Sequence, residues 1–126
     1  MPTVWVRYIV NDVDASIEFY SRLGFKVDMH PAPSFAALSR GDLQLLFNTP
    51  TGPGGASQPM PDGRRPEPGG WNRFMVVTRE LDSLIDRLSR AGATFRGETS
   101  EAGAGRARLV EDPSGNLVEL FQFKDK

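Results

Sequence analysis

One histidine and no cysteine limit the chemistry that this sequence of 126 residues can support. Zinc and iron centres and general-base catalysis rely heavily on imidazole, and thiolates serve as metal ligands and as nucleophiles. The single histidine, His30, precedes Pro31, and we expect it to lie exposed in a loop. The sequence excludes disulfides, thiolate metal sites and a cysteine nucleophile and disfavours a histidine-rich metalloenzyme. Magnesium or calcium sites built from carboxylates remain open.

The charge balance restricts the partners. Fifteen Lys+Arg face 16 Asp+Glu, so the net charge is −1, which provides no basic surface for nucleic acid or an anionic membrane. A hydrophobic fraction of 39% and a charged fraction of 25% are typical of a globular protein. There is neither a long apolar stretch nor a basic leader at the N-terminus. We therefore expect a single cytoplasmic domain, 1–126, that binds neither nucleic acid nor a membrane.

The elements that would position a site occur twice. Ser21-Arg22-Leu23-Gly24 aligns with Ser89-Arg90-Ala91-Gly92 at an offset of 68 positions, and the order of apolar and acidic runs matches as well. Each copy reads as a strand, a helix and three further strands. The pattern predicts an α+β fold of two βαβββ modules, 1–48 and 71–126.

Local signals set the expected bounds of these elements. Asp12 is a favoured helix N-cap, and Gly24 and Gly92 are typical of the position after a helix. The face Leu81, Leu84, Ile85 and Leu88 indicates the second helix. Tight turns are expected at 39–42 and 112–116. Runs of β-branched and aromatic residues predict strands at Val4–Val10, Phe25–Asp28, Phe35–Ser39, Leu43–Asn48, Phe74–Val76, Ala93–Gly97, Ala107–Glu111 and Leu117–Phe123.

A loop separates the two modules. Residues 49–70 hold six of the 10 prolines and six of the 13 glycines and show no periodicity. A loop of this length is either a linker or a functional covering segment. Both interpretations stay open; as a lid, the loop would use Met60 and the adjoining Trp71 as apolar contacts.

Two motifs carry a resemblance to a known family. Val10-Asn11-Asp12-Val13-Asp14-Ala15-Ser16-Ile17-Glu18-Phe19-Tyr20, followed by Leu23-Gly24-Phe25, resembles the opening signature of the vicinal oxygen chelate superfamily. Glu111-Asp112-Pro113-Ser114-Gly115-Asn116-Leu117-Val118-Glu119-Leu120 resembles its closing signature. That superfamily holds glyoxalase I, extradiol dioxygenases and bleomycin-resistance proteins. The resemblance implies that the two modules form a cupped, barrel-like sheet around a cavity, in a homodimer with module or arm exchange.

The resemblance also locates the positions that hold a metal in the enzymes of the superfamily. These positions fall on Trp5, Gln44, Arg73 (or Asn72) and Glu119, of which only Glu119 keeps a metal-binding side chain. An indole has no lone pair to give, and a guanidinium is a fixed cation. Two like unit charges ~4 Å apart repel by about 4 kcal/mol at an effective dielectric constant of about 20. We therefore expect no metal and no cofactor, an ion pair between Arg73 and Glu119, and membership of the metal-free, drug-binding branch.

Strand alternation sorts the residues around these positions into two faces. The face that shares the former metal positions combines apolar and aromatic side chains with a few polar groups, which is typical of a pocket for a flat organic molecule. The alternative is that these side chains fill the barrel and leave no cavity. The expected ligand-binding residues are Trp5, Arg7, Gln44, Leu46, Asn48, Arg73, Met75, Glu119 and Phe121, with Phe35 and Trp71 at the rim. The expected core on the other face is Val4, Val6, Tyr8, Leu43, Leu45, Phe47, Phe74, Val76 and Leu120.

Three functions compete. The favoured one is non-catalytic sequestration of a cytotoxic aromatic natural product, such as a quinone or an anthraquinone-bearing enediyne, which would give antibiotic self-resistance. The second is a metal-independent isomerase or cyclase with Glu119 as base and Arg73 or Arg7 stabilising an enolate. The third, least favoured, is a metal-dependent glyoxalase or dioxygenase.

Overall fold

The computed structural model describes residues 2–124, apart from the side chain of Ala102. The chain divides into two compact units, Met1–Gly69 (unit 1) and Gly70–Lys126 (unit 2). Each unit contains a strand, a helix and three further strands that form one four-stranded mixed sheet. The α+β class and the two predicted βαβββ modules are confirmed. Among the described residues, no helix has the length and apolar character needed to cross a bilayer.

Unit 1 places its first strand next to its last. The strand order is β1-β4-β3-β2, with β1 parallel to β4 and the other pairs antiparallel. Its elements are β1 (Trp5–Ile9), α1 (Val13–Ser21), β2 (Lys26–Ala32), β3 (Phe35–Arg40) and β4 (Leu43–Asn48).

Helix α1 covers an aromatic core. The Asp12 side chain accepts a hydrogen bond from Ala15 N at 3.0 Å, and this satisfies one of the free N–H groups of the first turn. At the other end the chain leaves the helix through Gly24, whose φ is +88°. Tyr20, which is fully buried, has its ring centroid 5.1 Å from that of Phe47. The contact shows that Phe47 and its same-face neighbours on β4 point toward the helix.

Unit 2 repeats this topology. Its strand order is β5-β8-β7-β6, again with one parallel pair, β5 and β8. Its elements are β5 (Arg73–Val77), α2 (Leu81–Arg90), β6 (Thr94–Ala102), β7 (Gly105–Glu111) and β8 (Leu117–Phe123).

Helix α2 covers an aliphatic core. Leu81, Leu84 and Leu88 are buried, as the apolar spacing predicts. The N-cap residue, Glu80, makes no side-chain capping hydrogen bond; instead, Leu81 N donates to Gln122 Oε1 on β8 at 2.8 Å. Gln122 therefore lies on the helix side of the sheet, and residues one position away on β8 lie on the other side.

The turn that ends β7 is organised by one buried carboxylate. Asp112 Oδ1 accepts hydrogen bonds from Ser114 N and Asn116 N, both at 2.9 Å. The side-chain amide of Asn116 donates to Asp112 Oδ2 at 3.1 Å. Gly115 adopts a φ of +87°, which a side chain would disfavour. This turn was predicted from its Asp-Pro-Ser-Gly-Asn composition.

Two local expectations are wrong. Val4 lies outside β1 and is 70% exposed, so it is not part of the core. His30 lies in β2 rather than in a loop, with its Nε2 3.7 Å from Asp14 Oδ1. The sheet accommodates Pro31 because β2 is an edge strand whose pairing with β3 shifts between Met29 and Ala32. In unit 2 the outer strand β6 shows a comparable shift between Arg96 and Ser100.

The loop 49–70 begins with local structure. A single 3₁₀ turn, Gly55–Ser57, buries Ser57, whose hydroxyl donates to Thr49 O. Gln58 Nε2 donates to Gly52 O at 3.0 Å. These bonds fold the first part of the loop on itself within unit 1, as compact loops do when their ends lie close together.

Candidate functional site

Each sheet has a face turned away from its own helix, which we call its open face. In unit 1 the register pairs Trp5 with Gln44, Arg7 with Leu46, and Phe35 with Asn48. Alternation then places all six on one face, because their neighbour Phe47 points to the helix. The structure thus brings together the unit 1 residues predicted for the site: Trp5, Arg7, Phe35, Gln44, Leu46 and Asn48.

The open face of unit 1 is mostly occupied by its own contacts. Arg7 Nη1 donates to Asn48 Oδ1, and Asn48 and Leu46 are buried. Trp5 is 55% exposed, and its indole N–H donates to Pro2 O at 2.9 Å. Its ring therefore has a fixed polar edge and an accessible apolar surface, the combination that makes tryptophan frequent in binding sites.

Gln44 serves the sheet itself. Its side-chain Nε2 donates to Leu38 O at 2.7 Å and to Asp28 Oδ2 at 3.1 Å. Hydrogen bonds from Ser39 and Gln44, with Lys26 nearby, stabilise the Asp28 carboxylate and hold its pKa below the usual range. Both amide hydrogens of Gln44 are thus used within unit 1, and only its oxygen is left to meet a ligand.

The open face of unit 2 leaves apolar side chains accessible. The register pairs Met75 with Glu119 and Val77 with Phe121. Phe121 is buried with its ring centroid 4.8 Å from that of Phe123. Met75 and Val77 are each 46% exposed. Because they are two positions apart on one strand, their exposed side chains lie next to each other on the same face.

An ion pair crosses this face. Arg73 Nε lies 3.1 Å from Glu119 Oε1, and the Glu119 side chain is 18% exposed. This pair was predicted from the sequence. It engages Glu119, which is the only one of the four expected metal positions that keeps a metal-binding side chain. Arg73 Nη1 also donates to Trp71 O at 3.3 Å, so the same guanidinium holds the chain that leads into β5.

The sequence analysis missed a second pair beside the first. Arg96 Nε on β6 donates to Glu111 Oε2 on β7 at 3.0 Å. The Arg96 guanidinium lies over the ring of Trp71, with Cζ 4.5 Å from the ring centroid. Alternation within the second module could have placed Arg96 on the open face, but it gives no sign that Trp71 would lie against it.

These side chains do not fit a metal centre. The offset of 68 positions matches Arg7 on β1 with Met75 on β5. Arg7 pairs with Leu46, and Met75 pairs with Glu119. The counterpart of Glu119 in unit 1 is therefore Leu46 and not Gln44. Unit 1 thus offers a hydrocarbon at that position, and unit 2 offers a carboxylate already bound to a guanidinium. Within residues 2–124, no three His, Cys, Asp or Glu side chains gather in a group that could hold a metal ion.

The family model of the glyoxalase/bleomycin resistance protein/dioxygenase superfamily matches residues 3–120. The chain belongs to this superfamily. The resemblance of its two signature motifs is thereby confirmed: the first contains helix α1 of unit 1, and the second contains the β7–β8 turn of unit 2. The membership fixes the fold but leaves the activity open, because one fold can carry many chemistries.

Proteins similar to this chain include one without an assigned role and two with different roles. An uncharacterized protein of Mycolicibacterium smegmatis is 28% identical over 111 residues, 87% of this chain and 84% of that protein. An antibiotic binding protein from a Streptomyces species is 21% identical with a TM-score of 0.70, over 98% of both chains. A lactoylglutathione lyase from Agrobacterium tumefaciens is 20% identical with a TM-score of 0.70, over 96% of this chain and 94% of that one. At these identities the two solved structures show the fold alone.

Proposed function

We propose that this member of the superfamily binds and sequesters a planar aromatic natural product without altering it. The observation that carries the proposal is the accessible apolar surface on the open face of unit 2. Trp71 is 66% exposed and Phe123 54% exposed, and both accompany the half-exposed Met75 and Val77. Exposed apolar surfaces of this kind on a small protein mark sites of ligand or partner binding.

The charges on that face favour a ring system of low charge. Arg73 pairs with Glu119 at 3.1 Å, and Arg96 pairs with Glu111 at 3.0 Å. Because each arginine is neutralised by a glutamate, this face presents directed polar groups with little net charge. The net charge of the chain is −1, which gives little attraction for a strongly cationic drug such as bleomycin. A quinone or an anthraquinone-bearing enediyne would stack on Trp71 and pack on Met75.

Sequestration needs no proton transfer, cofactor or metal. Capture in the cytoplasm would lower the free concentration of a toxic compound through affinity alone. A homodimer would supply two such surfaces for each assembly. The antibiotic binding protein of the same fold supports this class of function by analogy.

Titration calorimetry with mitomycin-like quinones and anthraquinones tests the proposal. We expect micromolar or tighter binding, with the ligand recovered intact by mass spectrometry. Trp71→Ala should weaken binding, whereas Val27→Ala provides the matched control, because Val27 is an apolar residue, 45% exposed, that pairs with Leu38 on the helix side of the unit 1 sheet. Recovery of a chemically altered ligand would overturn the proposal in favour of an enzyme.

A second function follows from one specific observation. Glu119 is a half-buried carboxylate on the open face of unit 2, adjacent to a guanidinium, and this arrangement could abstract a proton and stabilise the enolate. We propose a metal-independent isomerase or cyclase acting on a polyketide-like compound as the alternative. It requires that Glu119→Gln abolish turnover while affinity is retained. Under the sequestration proposal, the unmodified protein shows no turnover, and Glu119→Gln still binds the ligand.

A further inference from the structure

Trp71 is held in place by a set of contacts that involve its backbone as well as its ring. Two glycines with positive φ, Gly69 at +106° and Gly70 at +92°, turn the chain immediately before it. Residues with side chains rarely adopt such φ values, so this backbone path depends on glycine. Two arginines of unit 2 then donate to the backbone carbonyls of Gly70 and Trp71.

Arg96 is the main contact. Its Nη1 donates to Gly70 O at 3.1 Å, its Nε donates to Glu111 Oε2 at 3.0 Å, and its Cζ lies 4.5 Å from the centre of the Trp71 ring. The Arg96 side chain is 27% exposed, and so is that of Glu111. A guanidinium with two directed hydrogen bonds and a stacked ring has little freedom left.

Arg73 completes the arrangement from the opposite edge of the sheet. It lies on β5, whereas Arg96 lies on β6, and these are the two outer strands. Each arginine pairs with a glutamate on the adjacent inner strand and donates to a backbone carbonyl, Arg73 to Trp71 O and Arg96 to Gly70 O. The two successive carbonyls of Gly70 and Trp71 are therefore hydrogen-bonded from both edges of the sheet.

We propose that Arg96 is a positioning residue that fixes Trp71 as a one-sided stacking platform. The guanidinium covers one face of the indole, and the 66% exposure of Trp71 leaves the other face for a planar conjugated ring. This inference rests on the proposed function for the identity of the ligand, but the fixing of Trp71 is a property of the free protein. A platform ordered in advance avoids part of the entropy that binding would otherwise cost.

The test uses a background in which Trp71 is the only tryptophan, obtained by Trp5→Phe. In this background Arg96→Met removes the guanidinium but keeps an apolar stem, and Arg96→Lys keeps the charge but not the planar fork. Arg108→Met is the matched control: Arg108 lies over Phe95 at 4.5 Å and donates to Gly97 O at 3.0 Å, on the other face of the same sheet. Acrylamide quenching and fluorescence anisotropy of Trp71 are measured first, without ligand.

We expect Arg96→Met to raise quenching and lower anisotropy, Arg96→Lys to restore them in part, and Arg108→Met to leave both unchanged. Titration with 1-hydroxyanthraquinone is measured second. Arg96→Met should bind it about two- to ten-fold more weakly, the range expected when one side chain must be ordered on binding. Glu111→Gln, which leaves the guanidinium in place, should show the same direction in both readouts and serves if Arg96→Met does not fold.

The outcomes separate this inference from the proposed function. Unchanged Trp71 quenching in a folded Arg96→Met or Glu111→Gln protein would overturn the inference. Equal losses of affinity in Arg96→Met and Arg108→Met would do so too, because they would indicate a general effect of removing an arginine. Responsive Trp71 fluorescence without binding of any quinone or anthraquinone by the unmodified protein would uphold the positioning role and reject the proposed function.

Discussion

The two units share one topology but treat their open faces differently. In unit 1 the polar side chains bond to amides of the same face, as Arg7 does to Asn48, and Leu46 is buried. In unit 2 the polar side chains form Arg–Glu pairs, and apolar side chains such as Met75 remain accessible. The open face of unit 1 thus satisfies its polar groups internally, whereas the open face of unit 2 keeps apolar side chains accessible. We expect unit 2 to contribute most of the specificity for a ligand.

The cores beneath the two helices differ in composition. Unit 1 packs an aromatic cluster around Tyr20 under α1, whereas unit 2 packs leucines and valines under α2. The difference has no effect on topology, because a sheet face needs only apolar volume of the right shape beneath its helix. Four predictions test how far the units differ, beginning with the largest expected effect.

Truncation in either core should cost the most stability. Phe47 and Leu120 are fully buried on the helix sides of their sheets. We expect Phe47→Ala to lower the free energy of unfolding by about 3–5 kcal/mol and Leu120→Ala by about 2–5 kcal/mol, through lost burial and residual cavities. Urea denaturation measures the totals, and hydrogen exchange shows where protection falls. Loss of protection confined to the mutated unit would sharpen the comparison; equal loss in both units would show that they open together.

Removal of the carboxylate in the β7–β8 turn should come next. Asp112 is buried and accepts three hydrogen bonds, while Asp42 in the corresponding turn of unit 1 is exposed. Asp112→Ala should lower the free energy of unfolding by about 2–3 kcal/mol, since it leaves buried donors without an acceptor. Asp42→Ala should change it by less than about 0.5 kcal/mol. Similar values for both variants, measured by urea denaturation, would contradict the structural difference between the two turns.

The helix caps should differ by a smaller amount. Asp12→Ala removes a side-chain cap of α1 and should cost about 1 kcal/mol. Glu80→Ala at the start of α2 should cost far less, because Glu80 makes no side-chain capping bond and Gln122 meets the first N–H group instead. Thermal unfolding of both variants checks this. The prediction fails if Glu80→Ala destabilises the protein as much as Asp12→Ala does.

The smallest effect should be a pH dependence that arises in unit 1. The pKa of Asp28 is held below its ordinary value of 3.8, first by Ser39 and then by Gln44. A carboxyl with a lower pKa in the folded state binds fewer protons than in the unfolded state. Its contribution to stability is therefore present above that ordinary pKa and is lost as the pH falls through the folded-state pKa. Asp28→Asn should flatten this part of the pH profile of unfolding, and an unchanged slope below about pH 4 would contradict the assignment.

Most of the fold could be predicted because each local signal agrees with the repeat. The bounds of β4 and β8 follow from apolar runs that end at clear turns, and Asp12 caps α1 as its residue type indicates. The strand through Pro31 could not be predicted, because proline reads as a turn residue and only an irregular edge strand accepts it. Here the irregular pairing of β2 with β3, a tertiary feature, overrides the local signal.

The site could be predicted only in part. Alternation brought Arg73 and Glu119 to one face, and the structure pairs them. The contact of Arg96 with Trp71 could not be foreseen, because it depends on the backbone path set by Gly69 and Gly70. Sequence patterns describe faces of regular elements well, but they do not give the course of an irregular segment across such a face.

The irregular outer strands have a consequence for the protein in a crowded solution. Strand β2 carries Pro31 and a shifted register, and strand β6 turns through Gly97 with a φ of +82°. The outer edges of these two strands therefore lack a regular row of backbone donors and acceptors. A strand from another molecule cannot form a regular ladder of hydrogen bonds along such an edge. The β2 edge of one sheet and the β6 edge of the other therefore resist the growth of aggregates. The proposed sequestration would require abundant protein, and it would benefit from that protection.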